Sequence, residues 1–355
     1  CFINERTKRI MAYTTINKSS DYFNIKLYTG TGSSNALTGV GFQPDWVWMK
    51  RRDGSASHRL CDAVRGATKL LQSNASDSEQ TGADTLTSFD SDGFTLGADA
   101  APYNVNVNSQ TMAAWCWKAG GSGSSNTDGS ITSTVSANTT SGFSIVKYTG
   151  TASAATIGHG LGVAPSVVLC KNLNASANWL MYHSTQGATK YLVLNDTDAV
   201  AVSGGSAWNG TSPTSTVFSV GSGTTVNGSN NNMIAYCFAE KQGYSKFGKY
   251  VGNGNADGTF VYTGFKPAFV MLKYASPNSG TGNWNILDTT RSPFNVVGLG
   301  LSANTSNADD GGTFIDILSN GFKPRSSSTN RNENGSTYVY MAFAEAPLVG
   351  SNNVP

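Results

Sequence analysis

The hydrophobic positions of this chain fall in short runs. Most alternate with polar residues at a period of two, and Gly, Asn, Asp or Pro separates one run from the next. That is the pattern of antiparallel strands joined by turns. Some runs break the alternation. "FQPDWVWMK" (42–50), "VAPSVVLCK" (163–171) and "FKPAFVMLK" (265–273) each set a proline ahead of an apolar stretch that ends on lysine. Trp46 and Trp48 alternate with Val47 and Met49, and Phe269 and Met271 with Val270 and Leu272, so both faces of the strand are apolar. A strand on the outside of a lone two-layer unit would show a polar face. These strands are therefore expected to be covered twice, by a facing sheet and by another layer, repeat or chain.

The likeness continues along the chain in constant order. "KLYTGTG" (26–32), "VKYTGTA" (146–152) and "GKYVGNG" (248–254) open each unit as a strand running into a glycine turn. After the proline-led strand come "HRLCDAVRGA" (58–67), "WLMYHSTQGA" (179–188) and "WNILDTTRSP" (284–293). Each unit closes on "MAAWCWKAGG" (112–121), "MIAYCFAEKQ" (233–242) or "VYMAFAEAP" (339–347). One face of the closing strand is small (Ala114, Cys116; Ala235, Cys237; Ala342, Ala344), letting a neighbouring layer approach, and the other is bulky (Trp115, Trp117; Tyr236, Phe238; Met341, Phe343) to fill a core. Self-similarity of this kind marks a repeated structural unit. About seven or eight short strands in roughly 100 residues suffice for a β-sandwich. The expected fold is all-β: three tandem antiparallel β-sandwich repeats of jelly-roll or concanavalin-like form. The expected division is an N-terminal arm (1–24), repeat one (25–120), a Gly/Ser/Thr linker (121–142), repeat two (143–243), repeat three (244–347) and a tail (348–355). The long linker would set unit one apart, while the short aromatic junction "KQGYSKFGK" (241–249) would hold units two and three together.

Composition narrows the chemistry. Only 13% of residues are charged and the net charge is +2, so the polar surface must come from Ser, Thr, Asn and Gly. Nucleic-acid binding needs clustered Lys and Arg; the densest patch is Arg6, Lys8 and Arg9 at the start, and no nucleic-acid partner is expected. Five cysteines (Cys1, Cys61, Cys116, Cys170, Cys237) lack the spacing of a zinc site or redox dithiol and read as free, buried thiols. No run is long enough to span a bilayer as a helix, so no membrane insertion is expected, and no signal-peptide segment is seen at the N-terminus. Met11 is a candidate initiator, which would make 1–10 upstream sequence.

Candidate sites recur with the repeats. Asp62 and Arg65, His183 and Gln186, and Asp288 and Arg291 occupy matching places. They read either as a sugar-binding or catalytic cluster at the mouth of each unit or as a buried or half-buried Asp–Arg bridge pinning the loop after a strand. The bridge is favoured, because acid and base partners must converge in a cleft and His183 breaks the pattern. Trp179, Trp208 and Trp284, with His183, are the candidate glycan contacts, since flat rings stack on sugars; core packing is the competing reading. His159 between glycines reads as a turn residue, and no G-x-S-x-G elbow occurs. "DSDG" (90–93) and "NTDG" (126–129) hint at calcium loops but lack the closing glutamate, and "SNGF" in unit three fits a hairpin turn instead. No catalytic residue, metal or cofactor is assigned.

Longer stretches carry a family resemblance. "LTSFDSDGFTLG", "NTDGSITSTVSANTTSGFSIVKYTG", "HGLGVAPSVV" and "IAYCFAEKQGYSKFGKYVGNGNADGTFVYTGFKPAFVMLK" resemble tail-fibre and virion structural proteins of marine tailed bacteriophages, the cyanophage and pelagiphage type. "KYLVLN" followed by "AWNGTSPTSTVFSVG" is similar to concanavalin/laminin-G-like sandwiches, which often bind glycans. The resemblance implies a non-enzymatic virion protein assembled in the host cytoplasm, a tail fibre or similar appendage. It implies a homotrimer with other virion proteins and host cell-surface polysaccharide as partners, and residues of about 12–24 docking to the particle. A capsid decoration or structural protein without a receptor is the alternative, and a polysaccharide depolymerase a third reading.

Overall fold

A computed structural model describes residues 13–101, 103–276 and 280–349. The chain is all-β and its named sheets are antiparallel. Strands Phe23–Thr29, Thr111–Trp117, Trp46–Arg51 and Arg59–Asp62 lie side by side in that order. The same order recurs with Phe143–Thr149, Asn232–Phe238, Val167–Asn172 and Leu180–His183, and again with Ser245–Val251, Thr337–Pro347, Phe265–Tyr274 and Asn285–Asp288. Register recurs too. Trp46 sits opposite Trp117 and Asp62, Val167 opposite Phe238 and His183, and Phe269 opposite Phe343 and Asp288. The segments that match in sequence thus occupy matching places.

Each four-strand layer has a core on both faces, which is why its proline-led strand needs no polar side. On one face, Ala114 and Cys116 of unit one pack with Val47, Met49, Leu86, Phe94 and Leu96, closing the unit against its own second layer. Ala235 and Cys237 do the same in unit two, as do Ala342 and Ala344 in unit three. Small residues let that inner layer come close. The opposite, bulky faces of all three layers meet in one shared core, which holds Trp46, Trp117, Tyr236, Phe238, Phe269 and Phe343. The Trp46 and Tyr236 rings stack with centroids 4.4 Å apart, and Phe343 lies 5.7 Å from Trp117 and 5.8 Å from Phe238. Aromatic pairs at such spacings add to what burial alone contributes.

Two expectations about organisation change. Residues 121–142, expected as a flexible linker, instead carry strands Ser124–Asn126 and Ser133–Asn138, which extend the sheet of unit two beside Phe143–Thr149. Gly, Ser and Thr gave the segment a linker's composition, but Val135 is buried in the core of unit two and supplies the anchor. Unit one is also not set apart, because its tryptophans fill the shared core. Within the N-terminal arm, Ile16 is buried in that core and Ser19–Asp21 forms a 3-10 turn leading into the first strand. That part of the expected docking segment is packed; residues 1–12 lie outside the described residues.

Candidate functional site

The repeated polar positions converge where one unit meets the next. Asp62 ends its strand with no exposure. Its Oδ1 accepts from the Val64 and Arg65 amides, capping the turn that follows, and its Oδ2 accepts from Arg65 Nε. Arg65 Nη2 returns to the Leu60 carbonyl. Burial works to lower the Arg65 guanidinium, but the Asp62 carboxylate that it bonds, together with Tyr236 and Glu79 nearby, more than offsets this and holds the charge in place. Unit three repeats the arrangement: Asp288 Oδ1 accepts from the Arg291 amide, Oδ2 from Arg291 Nε at 2.6 Å, and Arg291 Nη2 bonds the Ile286 carbonyl. Each acid then takes one bond from a neighbour. Tyr236 of unit two donates its hydroxyl to Asp62 at 2.8 Å, and Trp115 of unit one donates its indole N–H to Asp288 at 3.1 Å.

In unit two the acid's place belongs to His183, which is 1% exposed. Thr185 Oγ1 lies 2.9 Å from His183 Nδ1, and Nε2 faces the Tyr340 carbonyl of unit three at 3.4 Å. A carbonyl only accepts, so Nε2 carries the proton and Nδ1 receives the threonine hydroxyl. Burial pushes this imidazole down to about 4, leaving it neutral.

Two further sets of bonds follow the same circuit. His58, Trp179 and Trp284 occupy one repeated position. Their ring N–H groups donate to the carbonyls of Ser302 (3.0 Å), Gln72 (2.7 Å) and Val193 (2.8 Å), each in another unit. Their backbone amides donate to Asn74, Asn195 and Asn304. The lysines that end the proline-led phrases come next. Lys50 Nζ reaches the Ser306 carbonyl at 3.2 Å, Lys171 the Ser76 carbonyl at 2.8 Å and Lys273 the Thr197 carbonyl at 2.6 Å. Unit one thus reaches to unit three, three to two, and two to one, a closed ring with one sense. Burial lowers all three ammonium groups to about 8. Each keeps a second carbonyl, from Arg51, Ala177 or Gly282, which limits the cost of enclosure.

This geometry corrects the glycan assignment. Trp179, Trp208 and Trp284 are buried, at 0%, 2% and 1% exposure, so no ring face is open to a sugar. Trp208 packs edge-on against Tyr182 inside unit two. The reason is the repeat itself, which preserves positions needed for folding. His159 accepts from the Leu161 amide in its own loop and bonds the Thr214 carbonyl of the segment that leads into strand Val217–Val220. Asp92 of the "DSDG" stretch spends both carboxylate oxygens on the Gly39 and Gly41 amides, which hold it below the usual carboxylate range. Cys61, Cys116, Cys170 and Cys237 are buried thiols, and burial raises Cys61 and Cys170 to about 12. Among the described residues no group of three or more His, Cys, Asp or Glu is placed to hold a metal ion, and no helix is long and apolar enough to cross a membrane.

Sequence reasoning missed the role of the lysines. Their recurrence at one position was the available signal, whereas the carbonyls that receive them have no side-chain identity to read. No curated protein matches the chain. A family match covers residues 18–347, from the turn before the first strand to the end of the last, and by it the chain belongs to the family described as Domain of unknown function (DUF7483).

Proposed function

We propose that the chain is a non-catalytic structural protein of a bacteriophage particle, a tail fibre or similar appendage. Its three units are read as tandem β-sandwiches of jelly-roll or concanavalin-like form, closed into one body whose outer loops meet a host-surface glycan. The observation that carries the structural part is the recurring junction chemistry. The acids of the Asp–Arg bridges, the buried ring donors and the lysines all bond across the junctions between units, which is what a rigid scaffold requires and what an acid–base site, with groups free to exchange protons with substrate, does not. The phage assignment rests on the sequence resemblance. Copies are proposed to assemble as a trimer alongside other particle proteins.

Burial of Trp179, Trp208, Trp284 and His183 favours a second reading, a decoration or structural protein without a receptor. Labelled antibody against the purified chain, applied to intact particles, together with a glycan array, separates the two. Tail labelling with binding to a host polysaccharide supports the appendage. Head labelling with no sugar bound supports the decoration protein. Shortened polysaccharide after incubation would overturn both in favour of a depolymerase.

A further inference from the structure

Unit three departs from the other two at one place, and a cleft results. The equivalence of positions is fixed by a repeated tyrosine: Tyr28, Tyr148 and Tyr250 donate their hydroxyls to the carbonyls of Val105, Val226 and Arg331. In unit two, Val226 and the matching Leu180 are buried in the apolar core. In unit one, Val105 is buried and Arg59, at the position of Leu180, folds down on the Tyr103 ring and bonds the Tyr103 carbonyl. Unit three has Arg331 and Asn285 instead, and they line an open cleft of about 330 Å³. That volume falls at the lower end of small-molecule sites, roughly 300–1,000 Å³.

The floor of the cleft is held in advance. Arg331 lies over the Phe314 ring at 4.5 Å and gives Nη1 to Asn285 Oδ1 at 2.9 Å, while Asn330 Oδ1 takes the Asn283 amide at 3.0 Å. Gly300 makes room for this, since a Cβ there would meet the Phe314 ring at 2.8 Å. The rim is unspent: the exposed side chains of Asn307 and Asp310 bond to no other described residue. Charge is nearly balanced, because Asp309 is neutralised by Arg52 and Arg291 and the free Asp310 carboxylate is offset by Arg331. A concave site rich in amides, offering donors and acceptors with little net charge, suits a ligand with many neutral hydroxyls. An anion would meet Asp310 and a cation would meet Arg331.

We propose that this cleft binds a neutral hexose unit of a glycan, with the Asn307 amide and the Asp310 carboxylate taking its hydroxyls above the Asn285–Arg331 floor. The inference rests on the glycan-binding reading above and gives it a location. The test titrates the full chain with glucose, galactose and mannose, and with glucuronic acid as a charged control, following amide signals by NMR. Asp310→Ala and Asn307→Ala are exposed changes and leave the fold intact. At least one neutral hexose should bind, and each variant should weaken it tenfold or more with an unchanged thermal midpoint. Preference for glucuronic acid, or undiminished binding by both variants, overturns the proposal. On a host-polysaccharide array, binding that survives both variants sinks the cleft alone, whereas silence from native chain and variants alike sinks the glycan reading with it.

Discussion

At position 183 unit two holds a histidine where the other units hold aspartate, and the reason lies on the strand facing it. Tyr236 and Trp115 each bring a donor to the acid of another unit. The matching residue of unit three is Met341, which has none to give. An aspartate at 183 would be enclosed with a thioether in front and Gln186, not arginine, behind. His183→Asp should therefore lose about 3–5 kcal/mol in urea unfolding, the range for an uncompensated buried charge. Adding Gln186→Arg and Met341→Tyr should recover most of it; a single variant as stable as the native chain would refute this account of the junction. Acid pH probes the same residues. Burial lowers His58, His159 and His183 alike, the last to about 4, against an ordinary value of 6.5. Between 6.5 and 4 the unfolded chain takes up protons that the folded chain refuses, so stability present above 6.5 drains away as pH falls. The thermal midpoint should drop from pH 7 to pH 4.5, and His183→Gln should flatten the decline by about one proton's share.

At the scale of elements, much was legible beforehand. Proline-led strands apolar on both faces demanded two covering layers, and they have them in the unit's own second layer and the shared core. What the periodicity of one strand does not encode is which face meets which layer. Alanine and cysteine turn inward and tryptophan toward the neighbouring units, a choice made by the volumes of three units together. Strand Ser133–Asn138 was hidden for a different reason. Its Ser, Thr and Asn look like a linker, and its pairing with Phe143–Thr149 is carried by the backbone. Limited proteolysis of the native chain should accordingly spare 124–138, and Val135→Asp should cost about 2–4 kcal/mol by placing a carboxylate in the apolar core of unit two. Rapid cleavage within that segment would contradict the assignment. The cleft of unit three went unseen because asparagine and arginine in a loop are ordinary. Only the alignment of Arg331 with two buried valines marks them, and that alignment becomes firm with the tyrosine hydrogen bonds in view.

For the whole molecule, the ring of contacts implies that no unit is complete without the others. Removing one exposes the bulky faces of the remaining two. Heat should unfold the chain in one transition with matching calorimetric and van't Hoff enthalpies, the mark of all-or-none behaviour. Trp46→Ala, at the centre of the shared core, should lower that single midpoint at a cost of about 3–5 kcal/mol without splitting it. Two resolved transitions would mean that the units fold independently.

The same ring sets a condition on synthesis. Trp46, Trp48, Trp115 and Trp117 leave the ribosome well before Met341 and Phe343, which complete their surroundings. With roughly 230 residues still to be made at about 5–20 residues per second, that aromatic surface stays bare for roughly 10–50 s. A nascent chain halted before its final strand would thus carry a sticky tryptophan face, a natural target for chaperones.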